Sequence, residues 1–390
     1  HLTGEKTLGL KALAFNRLNI EIPAQTDLTG TGRKQISFSE VSLPDAAQFA
    51  ALNADTTLRM VSALGEDLER DGLSGFNRNH AVPVVPVLAQ MQVHGISVAT
   101  DVLAQLNQEV GGEINQEERG AFDAVGHEFN INSPSQLGEL LFKELKLPSG
   151  KRTQTGYSTD ASILENLRAA HPVIAHVLRY RELSKLKSTY IDTLPQQVNP
   201  HTHRIHTTYN QAGSATGRLA SSDPNLQNIP IRTTLGLRVR EAFIAADKPE
   251  WLLLSADYSQ IDLRALAHLS QDPTLMAAFE RDEDIHASTA SLIYGVSLED
   301  VTRDMRRLAK VMNFGVAYGL SAFGISQQTE MTREEGATFI ESYFETYPQV
   351  RGFLDETVAK AKELGYAETL LGRRRYIPEL RSPHHPVRQA

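Results

Sequence analysis

The 390-residue chain contains no cysteine, which excludes disulfides and cysteine-ligated zinc and fits a reducing compartment such as the cytoplasm. It has no apolar run approaching about twenty residues, so no segment reads as a membrane span. No secretory signal precedes the first helical pattern, and His1 reads as a tag or protease scar. Positive charge is in deficit, with a net charge of −8. The deficit is uneven. Residues 131–240 hold 14 Lys and Arg against 7 Asp and Glu, a balance of +7 that leaves −15 for the remainder. A basic segment inside an acidic chain suggests a local phosphate-binding surface, although a chance excess on solvated helices gives the same count. The rest of the composition, 41% hydrophobic and 22% charged, is that of an ordinary globular protein long enough for two or three domains.

Two stretches carry the chemistry. The first is Trp251–Arg264, WLLLSADYSQIDLR. Its apolar run Trp251–Leu254 has the pattern of a buried strand, Asp257 stands at the exit, and a helical pattern begins at Ile261. An acid at the end of a buried strand suits a metal ion; a helix cap is the plainer reading. The second is Arg303–Gly319, RDMRRLAKVMNFGVAYG. At about 100° per residue, Arg303, Arg306, Lys310, Asn313, Phe314, Ala317 and Tyr318 share one arc of roughly 140°. Met305, Leu308, Val311, Met312 and Val316 share the other side. Cations followed by aromatic rings suit a nucleotide, the cations for the triphosphate and a ring for the base. A solvated surface helix with two stray aromatics would show the same pattern.

Along the rest of the chain, residues 1–80 read as polar and mostly helical, with loops at Gly30-Thr31-Gly32 and Asp71-Gly72. Pro83 and Pro86 mark a boundary. Val84–Val98 leads into a helical region, Asp101–Phe129, loosened by Gly111-Gly112. Ser133, Pro134 and Gln136 read as a capping box with proline at the first helical position. Gly150–Ser158 reads as a basic loop, and Tyr180–Tyr190 as a basic helix whose Arg181, Lys185 and Lys187 suit either solvent or phosphates. Residues 203–240 read as strands and loops rich in amides and hydroxyls. Helices are expected over Arg333–Tyr347 and after Pro348. Tyr366–Leu370 and Arg375–Pro378 are expected to form a hairpin.

DYSQIDLR and RRLAKVMNFGVAYG closely resemble motifs A and B of the DNA polymerase I family, family A, and the resemblance extends from about Pro83 onward. It implies an α+β right-hand polymerase fold. Its parts would be a vestigial 3′–5′ exonuclease-like remnant (1–80), thumb (81–202), palm with motif A (203–270), fingers with motif B (271–365) and the start of the remaining palm (366–390). It implies template-directed addition of deoxynucleotides to a primer 3′-hydroxyl with two Mg²⁺ ions. Asp257 and the Tyr258 carbonyl would hold metal. Arg306, Lys310 and His286 would neutralise the triphosphate, with Lys310 as proton donor to pyrophosphate. Gln260, Ile261, Asp262, Phe314 and Tyr318 would complete the nucleotide pocket. Primer–template DNA would meet Asn130, Asn132, Ser133, Arg181, Lys185, Ser188 and Thr189 on the thumb. Beside the primer terminus it would meet Arg218, Asn225, Gln227 and Asn228. Read alone, His286 is a structural histidine as readily as a ligand.

The chain also departs from the family. Phe49 and Asn53 stand where active proofreaders have Tyr and Asp, so no 3′–5′ exonuclease activity is expected, and Asp55 reads as a surface or capping residue. Motif C, with its second metal-binding aspartate, is not found before Ala390, which implies a C-terminal polymerase fragment as partner in a split or truncated enzyme. Asp262 replaces the usual Glu, which predicts a looser sugar gate unless Tyr318 compensates. Phe314, in place of Tyr, implies discrimination against dideoxynucleotides. Two alternatives stand beside this reading: a single-subunit RNA polymerase, and a non-catalytic primer–template binder.

Overall fold

A computed structural model describes residues 7–384 apart from 149–151, 154–155, 232, 247–249 and 330. The side chains of residues 152, 153 and 317 are also outside the description; within the expected Gly150–Ser158 loop, Arg152–Thr153 and Gly156–Tyr157 pair as short antiparallel strands. The chain divides into two compact units, His1–His80 with Ser255–Ala390, and Ala81–Leu254.

In the first unit, helix α1 (Leu43–Arg70) runs for 28 residues from an N-cap at Ser42. Asp67 accepts from Arg17 at 2.8 Å, fastening the N-terminal segment to the helix. Asn53 spends its amide on the Phe49 carbonyl at 2.8 Å, and Asp55 pairs with Arg59 on the exposed face of α1.

The second unit begins with helix α2 (Val82–His94), which contains both Pro83 and Pro86. Pro83 falls in the first turn, where a missing N–H costs nothing, and Pro86 lies inside the helix; the boundary expected near them falls at His80–Ala81, where the two units divide. Gly95 ends it at φ +60°, with the Ile205 carbonyl 2.4 Å from where a Cβ would sit. Strand β1 (Ile96–Val98) follows, and then helix α3 (Thr100–Val125), which runs through Gly111-Gly112 without a break. Short helix α4 (Pro134–Glu139) has Ser133 as its N-cap. The expected capping box is only half made: Ser133 Oγ accepts from Gln136 N–H, but the Gln136 side-chain Oε1 accepts from Asn130 N–H instead. Helix α5 (Pro172–Leu186) continues as a wider turn over Lys187–Ile191.

Leu103, Leu106 and Val110 of α3 lie at helical spacing, as do Val177, Tyr180, Leu183 and Leu186 of α5. The two helices therefore bury matching stripes in the cores of this unit. Strand β2 (Arg204–Ile205) pairs antiparallel with β1. Strands β3 (Thr208–Asn210) and β4 (Ala220–Ser222) form a hairpin with Tyr209 opposite Ser221. Helix α6 (Thr234–Glu241) leads to β5 (Phe243–Ile244), which pairs with the other edge of β1, giving the order β2-β1-β5. The apolar run after it does not form the expected strand. Trp251–Leu254 has no ladder among the described residues and is exposed, Leu252 at 89% and Leu254 at 92%. The run pattern was read correctly as apolar, but burial needs a neighbouring strand, and none of the described strands lies alongside it.

Back in the first unit come α7 (Ile261–Ser270), α8 (Pro273–Glu280), α9 (Ile285–Tyr294), α10 (Arg303–Ala317), α11 (Ala322–Gln328), α12 (Arg333–Thr346) and α13 (Pro348–Leu364). Strands β6 (Tyr366–Glu368) and β7 (Arg374–Tyr376) then pair as a hairpin, Tyr366 opposite Tyr376. Arg374 reaches from the hairpin to the Asp71 carbonyl beyond α1 at 2.8 Å. Leu263, Leu266, Leu275, Ile285, Met312, Val316, Phe339, Tyr343 and Tyr347 form one core.

Asp272 is fully buried and ties this core together. One carboxylate oxygen accepts from the N–H groups of Thr274 and Leu275 at the start of α8. The other accepts from Gln349 N–H at the start of α13. It caps two helix N-termini at once, where anionic oxygens are favoured. Asp272→Ala is expected to destabilise this unit by about 2–4 kcal/mol, and Asp272→Asn by less. Chemical denaturation measures both, and a loss within error for the alanine variant would show that the two caps are dispensable.

Candidate functional site

Helix α10 starts at Thr302, whose hydroxyl accepts from Met305 N–H at 3.2 Å. Ala309, Met312 and Val316 are buried, while Arg303, Arg306 and Lys310 are exposed, so the amphipathic reading of this helix holds along most of its length. Asn313 departs from it. Placed by the wheel on the cationic–aromatic face, it is fully buried against α9. A wheel assigns direction about one axis only, and α9 packs close enough to cover that edge of the arc.

The residues that α10 presents meet three partners. Arg306 Nε donates to Asp284 Oδ2 at 2.8 Å. The other Asp284 oxygen accepts from the N–H groups of His286 and Ala287, capping α9. Burial acts to raise the Asp284 pKa, but the Arg306 guanidinium and the two backbone donors outweigh it and hold the carboxyl below its usual range. The His286 ring lies 5.7 Å from the Phe314 ring, centre to centre, and its Nδ1 faces Asn313 Nδ2 at 3.0 Å. Tyr318, just past the end of α10, donates its hydroxyl to Asp262 Oδ2 at 2.6 Å. This contact joins the two residues named for the sugar gate.

Burial is the largest influence on His286, and it lowers the ring's pKa; Arg306 and Lys310 lower it further, against Asp284, which raises it. A lowered pKa favours the neutral ring, which can offer a hydrogen bond. Lys310 has no hydrogen-bond or ion-pair partner among the described residues. On α7, Gln260 is left-handed at φ 52° and opens the helix. Before it, Asp257 and Tyr258 are exposed, Tyr258 at 79%, and Ile261 is half exposed. Asp257 has no protein partner among the described residues, and no group of three or more His, Asp or Glu there could hold a metal ion. One carboxylate beside a carbonyl supplies part of a cation's donor set and no more.

In the 81–254 unit several basic residues are engaged internally. Arg181 donates to the Thr159 carbonyl and hydroxyl, Lys187 pairs with Asp192 at 2.7 Å, and Arg238 pairs with Glu109. Lys185, Ser188 and Thr189 stay exposed together along α5 and its continuation. Asn132 donates to the Tyr180 hydroxyl at 2.7 Å, and Asn130 and Ser133 are engaged around α4. Arg218 is exposed and unpaired among the described residues. Gln227 is exposed, but its amide is committed at both ends, to Ser221 N–H and the Leu219 carbonyl. Asn225 closes the same loop through Ser221, and the Asn228 carbonyl accepts from Tyr190.

The sequence reading missed Asp284, Thr289 and Tyr347. Asp284 had a signal, since an aspartate directly before a helical run is a cap that a nearby arginine can share. Nothing marked Thr289 or Tyr347.

The sequence model described as DNA polymerase family A matches residues 100–390. The chain belongs to DNA polymerase family A. It is 45% identical over 387 residues to DNA polymerase I of Pseudomonas aeruginosa, covering 98% of this chain and 42% of that protein. It is 51% identical over 310 residues to the thermostable DNA polymerase I of Thermus aquaticus, covering 79% of this chain and 37% of that one. The POL domain of Pol1 from M. smegmatis, solved in complex with DNA primer-template and dNTP, superposes with a TM-score of 0.85 at 38% identity. That match covers 100% of this chain and 65% of that one. The expected α+β polymerase fold is therefore the fold of this family A chain. The chain spans about two fifths of the length of the curated polymerases it matches. No helix among the described residues is long and apolar enough to cross a membrane.

The buried His286 gives this polymerase chain a pH signature. Its folded pKa lies below the unfolded value of 6.5, so acidification charges the unfolded chain first. The resulting stability is complete above 6.5 and is lost as pH falls through the folded value. His286→Gln is expected to flatten that part of the stability–pH curve relative to the parent. Urea midpoints across the acid range read it, and parallel curves would contradict a neutral buried ring.

Proposed function

We propose that this chain carries the primer-, template- and nucleotide-holding part of a DNA polymerase that adds deoxynucleotides to a primer 3′-hydroxyl. The observation that carries the proposal is the single α10 face on which Arg306, Lys310, Phe314 and Tyr318 gather with His286 and Asp262. The complex of primer-template and dNTP named for the M. smegmatis domain supports the same substrates. In this reading residues 81–202 are thumb, 203–270 palm, 271–365 fingers and 366–390 the start of further palm, with 1–80 an exonuclease-like remnant. Such a protein works where DNA and deoxynucleotides are, and we place it in the cytoplasm.

Family A enzymes are metal-dependent, and Asp257 with the Tyr258 carbonyl would contribute to a two-Mg²⁺ site. When bound, such ions lower the primer hydroxyl's pKa and draw charge from the phosphates. The chain's own residues do the rest. Lys310 and Arg306 face the β- and γ-phosphates, Arg306 exchanging its Asp284 partner for phosphate oxygens. His286 donates one hydrogen bond. The primer oxygen bonds to the α-phosphorus, the bond to the β-phosphate bridging oxygen breaks, and Lys310 gives its proton to the departing pyrophosphate. Phe314 stacks beneath the base, and Tyr318 holds Asp262 against the sugar. Lys185, Ser188, Thr189 and Arg218 meet the DNA. Asn130, Asn132, Ser133, Arg181, Asn225, Gln227 and Asn228 shape the loops and helix ends beside it. Among the described residues Asp257 is exposed and belongs to no group of three or more side chains that could hold a metal ion.

Primer extension with Mg²⁺ tests this on the chain and on a chimera continued after residue 390 by the remainder of the Pseudomonas relative. Extension by the chimera is expected, with Lys310→Ala slowing the chemical step about 10²–10⁴-fold while primer–template affinity stays within about threefold. A chimera that binds primer–template without extending it would favour a non-catalytic binder. A Lys310→Ala variant defective only in DNA binding would remove the proton-donor role. In the same chimera, Tyr318→Phe frees Asp262 and is expected to raise ribonucleotide over deoxynucleotide incorporation about tenfold. An unchanged ratio would take Asp262 out of sugar selection.

A further inference from the structure

We propose that Asn313 is a positioning residue that holds His286 in the Nε2–H form, so that His286 meets a phosphate oxygen as a neutral donor of fixed direction. The proposal rests on the reading of the α10 face as a triphosphate site.

The argument is a count of hydrogens. Four buried polar groups meet behind the His286 ring. The Thr289 hydroxyl has one hydrogen, and its shortest contact is the Ile285 carbonyl at 2.7 Å, which can only accept. Asn313 Oδ1 also lies 3.2 Å from this hydroxyl, but the Ile285 contact is shorter and takes the hydrogen. The Thr289 lone pairs then accept from the Tyr347 hydroxyl at 3.0 Å and from Asn313 Nδ2 at 3.2 Å. The Asn313 amide nitrogen carries two hydrogens. One goes to Thr289, and the other points at His286 Nδ1, 3.0 Å away. With the Asn313 amide in this orientation, Nδ1 is the accepting nitrogen, which leaves the ring hydrogen on Nε2. Nε2 has no protein partner among the described residues, so that hydrogen is left for a ligand.

The surroundings favour the same state. Asn313, Thr289 and Tyr347 are all fully buried, so an unmatched donor or acceptor among them would be costly. The Phe314 ring beside the imidazole restricts its rotation. The charged groups nearest the ring are Asp284 on its own segment, and Arg306 and Lys310 from α10. Glu283 is engaged by Arg281 and Ser288. The two cations already supply positive charge for a triphosphate, and a third would repel them. A neutral N–H adds direction without that repulsion and without proton uptake in the range where a free imidazole titrates. Aspartate at position 313 would invert the arrangement: its carboxylate would accept from Nδ1–H and favour the charged ring.

The tautomer can be read directly from two-bond ¹⁵N–¹H correlation spectra of the chain labelled with ¹⁵N-histidine. His286→Gln identifies the His286 signals among the 13 histidines. At pH 7 the parent is expected to show a neutral ring protonated at Nε2. Asn313→Asp is expected to move the hydrogen to Nδ1 or charge the ring, and Asn313→Leu to give mixed tautomers. A parent ring protonated at Nδ1, or charged at pH 7, overturns the proposal without any variant. So does a parent pattern that both Asn313 substitutions leave unchanged. Titration of dATP with Mg²⁺ is expected to shift the Nε2 signal of the parent. An Nε2–H ring that ignores the nucleotide would overturn the phosphate-donor role and point to failure of the triphosphate reading, with the tautomer assignment intact.

Discussion

The seating of α10 against α7 and α9 is the constraint on which the candidate site depends. Met312 and Val316 enter the core shared with Leu263, Ile285 and Tyr343, and this burial fixes how the helix is turned. Once it is turned, Arg306 comes opposite Asp284, Phe314 opposite His286, and Tyr318 opposite Asp262. None of these contacts is strong enough to place a helix; each is available because the apolar side has already done so. Asp272 sets the same frame from further away by capping α8 and α13 together.

Electrostatics then divide the work. Arg306 is held in readiness by a carboxylate whose other oxygen is committed to the start of α9. Lys310 is exposed and free of protein partners among the described residues, which suits a group that gives up a proton late in a reaction. His286 is kept neutral by burial and by the two cations beside it. In the other unit some basic residues are paired within the fold, Lys187 with Asp192 and Arg238 with Glu109, while Lys146, Lys185, Arg218 and Arg240 stay exposed.

Much of this was legible in the sequence because helices announce themselves by period. The bounds of α7, α10, α12 and α13 follow from apolar spacing and caps to within a residue or two. Trp251–Leu254 misled because four apolar residues state a preference for burial without saying what will cover them. Pro83 and Pro86 marked the division between the units to within a few residues, because proline favours the start of a helix over its interior. Asn313 misled because its role is set by His286 and Thr289 of α9, 27 and 24 residues earlier in the chain, and no single-helix pattern contains those neighbours. The Asp262–Tyr318 contact joins residues 56 apart and was foreseen only as a compensation that a shorter acid would need.

The central claim is that one preformed face, built on α10 and completed by α7 and α9, receives a nucleoside triphosphate. Photo-crosslinking the chain with a base-azido deoxynucleoside triphosphate in the presence of primer–template tests it most directly. The account predicts label within 303–318, concentrated near Phe314 and abolished by excess ordinary deoxynucleotide. Competable label confined to any other segment would contradict it.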